Sequence, residues 1–192
     1  MSGGMPDRSR ADEADRDLIR RIASKDSKAL DAFYERYNRL AFSLVLRIVG
    51  TREDAEDVLL EVFWQVWQQA ARYDASRGKP IAWLLTIART RAIDCLRSSG
   101  RQSMFADNPL DNREPPPAGP QPDPFVEADT REAVVGALKS LPAEQRIPLE
   151  MAYYSGMSHT EIAKTLDQPL GTVKDRIRNG MMHLRKRLKP YV

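Results

Sequence analysis

The residues best able to do chemistry lie near the C-terminus, and the chemistry they suit is recognition of phosphate and base edges. From Lys174 to Lys189 stand seven cations (Lys174, Arg176, Arg178, Arg185, Lys186, Arg187, Lys189) against one acid, Asp175. Such a helix offers contacts that release counterions from a nucleic acid backbone. On charge alone a solvated charged face explains the run equally well. The spacing around it separates the two. Ser158 with Glu161 three residues on is a capping-box pattern and predicts a short helix. Its apolar positions are Ile162, Ala163 and Leu166, and Asp167-Gln168-Pro169 ends it. A second helix is expected from about Thr172. There Val173, Ile177, Gly180, Met181, Leu184 and Leu188 form the packed stripe. Thr172, Lys174, Asp175, Arg178, Asn179 and Met182 then face outward. This is a helix-turn-helix layout, whose second helix enters the major groove with its N-terminal end. Arg178 suits guanine, Asn179 adenine, and Asp175 the amino group of cytosine.

Bond-making chemistry has little support. His159 and His183 are the only histidines, and no cysteine, serine or carboxylate cluster accompanies them at catalytic spacing. The single Cys95 has no thiol partner and no nearby histidine for a zinc site, which points to an inert packed cysteine. Neither an enzyme, a metal site, a cofactor nor a small-molecule substrate is expected. Composition agrees with a soluble chain: 42% hydrophobic and 30% charged residues, with net charge +3 over 192 positions. No apolar run is long enough to cross a bilayer, so membrane insertion is not expected. Residues 1–14 lack the apolar centre of a signal peptide, so a cytoplasmic location is the expectation. Charge is segregated. Residues 131–192 carry eleven cations and six acids, whereas 101–130 carry two cations and six acids.

The elements that must position the recognition unit follow from periodicity. Residues 1–13 read as a disordered tail. Leu18, Ile19, Ile22 and Ala23 mark a first helix. A second, with Ser27 as its N-cap, carries Leu30, Phe33, Tyr34, Tyr37, Ala41, Leu44, Val45 and Ile48 to a stop at Gly50. Thr51 caps a third, whose buried face is Ala55, Val58, Leu59, Val62, Phe63, Val66 and Ala70. Its other side sets Asp57, Glu61, Trp64 and Gln68 at helical spacing, with Leu60 beside them. A tryptophan and a leucine among acids suit a docking patch. Alternatively, Trp64 packs against a neighbouring helix. The polar loop 73–80 leads into a fourth helix, 81–97, with core face Leu84, Leu85, Ala88, Ala92, Cys95 and Leu96. Trp83, Thr86, Thr90 and Arg97, with Arg89 at the margin, suit unpaired bases and their backbone, although Trp83 serves equally as core.

Residues 101–128 hold seven prolines and no periodicity, the composition of an extended linker. It is either a plain tether or an anionic mimic of a nucleic acid strand. Beyond it, helices are expected over about 129–139 and from Pro142, with Leu149, Met151, Ala152 and Tyr153 as core. Pro148 predicts a kink and Gly156 a turn. The expected fold is therefore all-α: two small helical domains, 14–100 and 129–192, joined by a Pro-rich flexible linker.

Three runs carry a resemblance: DAEDVLLEVFWQVW (54–67), WLLTIARTRAIDCLR (83–97), and LPAEQR followed by YYSGMSHTEIAKTLDQPLGTVKDRIRNGMMHLRKRL (141–188). Together they resemble regions two and four of an extracytoplasmic-function (ECF) sigma factor of bacterial RNA polymerase, in the sigma-70 family. The resemblance implies a region-2-like bundle and a region-4-like helix-turn-helix, working on core polymerase (beta and beta-prime subunits) and promoter DNA. It implies core-polymerase binding by Asp54, Asp57, Leu60, Glu61 and Trp64, with Leu60 where the family often has Gln. It implies capture of minus-ten bases by Asp74, Arg77, Lys79, Trp83, Thr86, Arg89, Thr90 and Arg97, with Thr90 where Asn is common. Minus-thirty-five reading falls to Thr172, Lys174, Asp175, Arg176, Arg178, Asn179 and Arg185, with Asp175 in place of a frequent Ser. An anti-sigma partner is expected on the same ground. The rival reading is a self-sufficient DNA-binding regulator, but the N-terminal half shows no receiver or ligand domain.

Overall fold

The computed structural model describes residues 8–100 and 128–189. Among them are eight α-helices and no strand: α1 (Arg8–Ala23), α2 (Ser27–Val49), α3 (Arg52–Gln69), α4 (Pro80–Ser98), α5 (Ala128–Lys139), α6 (Ala143–Tyr154), α7 (His159–Thr165) and α8 (Leu170–Leu188). The all-α expectation holds. The expected linker lies, but for Ala128, outside the described residues. The chain divides into two compact units, residues 1–92 and 93–192.

In the first unit α1, α2 and α3 pack on one another. α1 begins at Arg8, so residues 8–13, expected in the tail, are helical. Three long-range contacts invisible to local patterning hold this helix. Asp12 lies 3.0 Å from Lys79. Asp15, only 2% exposed, accepts hydrogen bonds from Arg36 and from the Tyr37 hydroxyl on α2. A carboxylate that deep is tolerable only when paired and hydrogen-bonded. Burial and the neighbouring carboxylate push the Tyr37 hydroxyl pKa up. The N-cap of α2 is Asp26, not Ser27: Oδ1 accepts the amides of Lys28 and Ala29 at 3.0 and 3.3 Å, while Oδ2 accepts Arg21 at 2.8 Å. A carboxylate serves both sets of donors and a hydroxyl cannot. Gly50 closes α2 at φ 85°, its amide reaching the Leu46 carbonyl at 2.9 Å, and Thr51 then caps α3. All seven positions expected in the α3 stripe are buried. α3 packs on α2, whose own buried face includes Phe33, Tyr37, Ala41, Val45 and Ile48, with Phe33 edge-on to Phe63 at 6.5 Å. Burying Phe33 contributes about 2 to 3 kcal/mol. In α4, Leu84, Ala88, Ala92 and Leu96 are buried as expected, Leu85 and Cys95 are half-buried, and Ile87 and Ile93 join the buried set.

In the second unit α6, α7 and α8 pack around Met151, Ile162, Ala163 and Val173, and α5 leans on α8. Pro142 is the N-cap of α6 rather than its first residue, and buried Pro148 sits within a helix that runs on to Tyr154. Tyr153, expected in the core, is exposed and stacks edge-on with Tyr154 at 4.9 Å. The capping box of α7 is complete: Glu161 N–H donates to the Ser158 hydroxyl at 3.3 Å, and Ser158 N–H to the Glu161 carboxylate at 2.7 Å. α7 ends with Asp167 in the left-handed region at φ 47° and the Gln168 amide bonded to the Ala163 carbonyl at 2.9 Å. That is a Schellman-type stop with aspartate in the position glycine usually takes. Pro169 is the N-cap of α8, which starts at Leu170, two residues ahead of Thr172. Val173 and Gly180 are buried, and Ile177, Leu184 and Leu188 are half-buried. Met181, expected in this stripe, is 51% exposed. At 100° per residue it lies about 80° from Val173, on the stripe's edge.

Candidate polymerase and nucleic-acid interfaces

On α8 the expected DNA-facing residues Lys174, Asp175, Arg178, Asn179 and Arg185 are exposed, and Thr172 is half-buried. They sit in the first three turns and the last, on a helix whose N-terminal end emerges from the tight turn. Arg176 differs. Its Nη1 donates to Gln168 Oε1 at 2.5 Å and its Nη2 lies 3.6 Å from Glu144 Oε2. His183 is exposed, with Nδ1 at 3.0 Å from Gln145 Oε1 on α6. His159 is likewise exposed.

The outer arc of α3 presents Asp57 and Glu61 with Leu60 at 68% and Trp64 at 63% exposure. Trp64 is thus exposed rather than packed against a neighbouring helix. Asp54 is half-buried and accepts the Thr51 hydroxyl, so it also helps to seat the helix start. Behind the arc, Arg91 of α4 donates to Gln65 at 2.6 Å and lies 3.8 Å from Glu61, tying α4 to α3.

The loop 73–80 is organised from within. Asp74 accepts the Ser76 hydroxyl at 2.7 Å and the Ser76 amide at 2.9 Å, and the hydroxyl and then the amide hold its carboxyl below the usual range. The Tyr73 hydroxyl donates to the Gly78 carbonyl at 2.7 Å, and its ring tilts against Trp83 at 5.5 Å. Trp83 is therefore half-buried on a ring partner, between the two roles its sequence position left open. Arg77 and Lys79 are exposed, Lys79 in its pair with Asp12. Along α4, Thr86 and Thr90 are exposed but donate to the Ala82 and Thr86 carbonyls at 2.8 and 2.9 Å, leaving hydroxyl lone pairs to face outward. Arg97 is exposed and Arg89 half-buried. Asp12 and Glu144 shape these surfaces without having been singled out, because each acts across a sequence gap that periodicity does not encode.

Among the described residues no group of His, Cys, Asp and Glu could hold a metal ion, and no helix is long and apolar enough to cross a membrane.

Two family models match the chain: Sigma-70 region 2 over residues 33–102, and Sigma-70, region 4 over residues 131–184. The sequence is 36% identical over 173 residues to the ECF RNA polymerase sigma factor SigK of Mycolicibacterium vanbaalenii, covering 88% of this chain and 86% of that one. It is 31% identical over 172 residues to the protein of the same description from Mycobacterium tuberculosis H37Ra, covering 88% and 90%. Among solved structures it is similar to CnrH in complex with the cytosolic domain of CnrY, at TM-score 0.41 and 22% identity, covering 92% of this chain and 98% of that one. A helical body with an outward apolar arc, followed by a helix-turn-helix, has the parts of a transcription initiation factor. The chain belongs to the ECF sigma factors of the sigma-70 family. That family consists of non-enzymatic initiation factors.

Proposed function

We propose that this protein binds core RNA polymerase through the outer arc of α3, directs it to specific promoters through α8, and helps open the DNA with loop 73–80 and α4. The observation that carries this reading is the pair Leu60 and Trp64, two large apolar side chains held in water on a helix whose opposite face is buried, inside the region 2 match. Exposed aromatic anchors with a polar rim are what a protein partner covers. Asp57 and Glu61 supply the rim, and Asp54 supports it from the helix start. Upstream, Arg178, Asn179 and Asp175 reach base edges while Lys174, Arg185 and Thr172 meet phosphates. Near the start site Trp83, Thr86, Arg89, Thr90 and Arg97, with Asp74, Arg77 and Lys79 of the loop, receive the unpaired minus-ten strand. Each captured base offsets about 1 to 3 kcal/mol of lost stacking and pairing. The working bodies are residues 14–100 and 129–192, and the protein acts in the cytoplasm, held in check by an anti-sigma partner that covers the same faces. No bond is made or broken by the protein itself.

Reconstituted transcription tests this. Core polymerase with the full chain is expected to initiate at a defined set of promoters from a genomic library and core alone at none. Initiation at no promoter by the pair overturns the reading.

A further inference from the structure

We propose that Arg176 is a positioning residue of the recognition helix and makes no contact with promoter DNA. It fixes the direction in which α8 leaves the turn by tying α8, the turn and the first turn of α6 to one guanidinium. The inference rests on the reading that α8 lies in the promoter groove.

The geometry separates Arg176 from its cationic neighbours. Lys174 and Arg178 are exposed, whereas only 28% of the Arg176 side chain is. At 100° per residue, Arg176 lies about 160° around the helix from both Lys174 and Arg178 and about 40° beyond Thr172 at the edge of the outward arc, on the side turned toward the turn and α6. Its two terminal nitrogens reach different elements: Gln168 Oε1 at 2.5 Å in the turn and Glu144 Oε2 at 3.6 Å on α6. Gln168 is itself held by its backbone, whose amide closes the end of α7 on the Ala163 carbonyl at 2.9 Å. The residue before it, Asp167, takes the left-handed conformation that bends the chain. Arg176 therefore grips the turn at the point where its path is set, and α8 departs one residue after Pro169. A planar fork can address two acceptors at once, which a single ammonium cannot do at these positions. Further along the same pair of helices, His183 Nδ1 lies 3.0 Å from Gln145 Oε1, a contact that does not involve the turn. Base readout needs side chains at the groove floor placed to a fraction of an ångström, so a small swing of α8 selectively weakens cognate binding.

The test uses holoenzyme assembled from core polymerase and the full chain, on a promoter found by the library assay and on the same fragment with a scrambled minus-thirty-five element. Arg176→Ala is expected to lower the cognate-to-scrambled affinity ratio about tenfold, as loss of one good base contact would, while the slope of log affinity against log salt stays unchanged. Arg176→Lys, which keeps the charge and loses the fork, is expected to be as deficient as Arg176→Ala. Gln168→Ala leaves the arginine in place and is expected to reproduce the loss, with no further loss in the double variant; it also decides the matter if Arg176→Ala does not fold. A salt slope reduced by about 0.9 in Arg176→Ala and restored in Arg176→Lys identifies a phosphate contact and overturns the proposal. So does wild-type selectivity in Gln168→Ala. Should the unaltered holoenzyme fail to distinguish the cognate from the scrambled element, the groove reading of α8 fails first, a result separable from either.

Discussion

Helices α3 and α8 are nearly equal in length, 18 and 19 residues, and differ in what each leaves in water. α3 buries Ala55, Val58, Leu59, Val62, Phe63 and Val66 and turns outward an arc with Leu60 and Trp64 among acids. α8 buries only Val173 and Gly180 and turns outward Lys174, Asp175, Arg178, Asn179 and Arg185. The first is seated by apolar packing and still leaves two large apolar side chains in water. The second is seated on a smaller core, supplemented by polar ties to α6 and to the turn. On the proposed function, the first face would gain by leaving water, which salt hardly changes, and the second by releasing counterions, which salt opposes directly.

The sharpest break of this contrast is Trp64→Ala. It is expected to weaken binding to core polymerase by about 2 to 4 kcal/mol with little dependence on salt, as read by titration at two ionic strengths. A loss that disappears at high salt would place Trp64 outside an apolar interface. Next comes Arg178→Ala, expected to cost about 1 to 3 kcal/mol and to relax preference at one base pair, checked by selection from a randomised minus-thirty-five element. Unchanged preference removes its base-reading role. Lys174→Ala should weaken all sequences alike and lower the salt slope by about 0.9, measured by competition against scrambled DNA.

The smallest effect concerns the scaffold. Ser158→Ala is expected to cost about 1 kcal/mol of stability in urea denaturation. The Ser158 amide, and then its hydroxyl, hold the Glu161 carboxyl below its usual value of 4.5. A lowered folded value means that this contribution is fully present above 4.5 and is lost as pH falls through the folded value. Glu161→Gln should therefore flatten part of the acid limb of the denaturation midpoint, and an acid limb identical to that of the unaltered chain would discount the cap.

What was legible in the sequence, and what was not, follows the range of the interactions. The α3 stripe, the Gly50 stop, the Thr51 cap and the Ser158–Glu161 box are set within four residues, and each was readable. The choice of Asp26 over Ser27 turned on a second donor, Arg21, brought in by the turn of the chain. The early start of α1 depended on Asp12 and Asp15 finding Lys79, Arg36 and Tyr37. Met181 shared the spacing of its stripe but not its direction, and Tyr153 followed apolar residues into a position that α6 leaves in water. Arg176 looked like one more cation in a basic run until Gln168 and Glu144 were placed beside it.

The three indoles of the chain, Trp64, Trp67 and Trp83, all fall within residues 1–92. They occupy unlike surroundings: one faces solvent, one lies under the Lys25 ammonium at 4.9 Å from its ring centroid, and one rests on Tyr73. Tryptophan fluorescence therefore watches only the N-terminal unit. On the proposed function, a blue shift of this chain's emission on adding core polymerase is expected from Trp64 and quenching by an unpaired DNA strand from Trp83, while the helix-turn-helix carries no indole to respond to either.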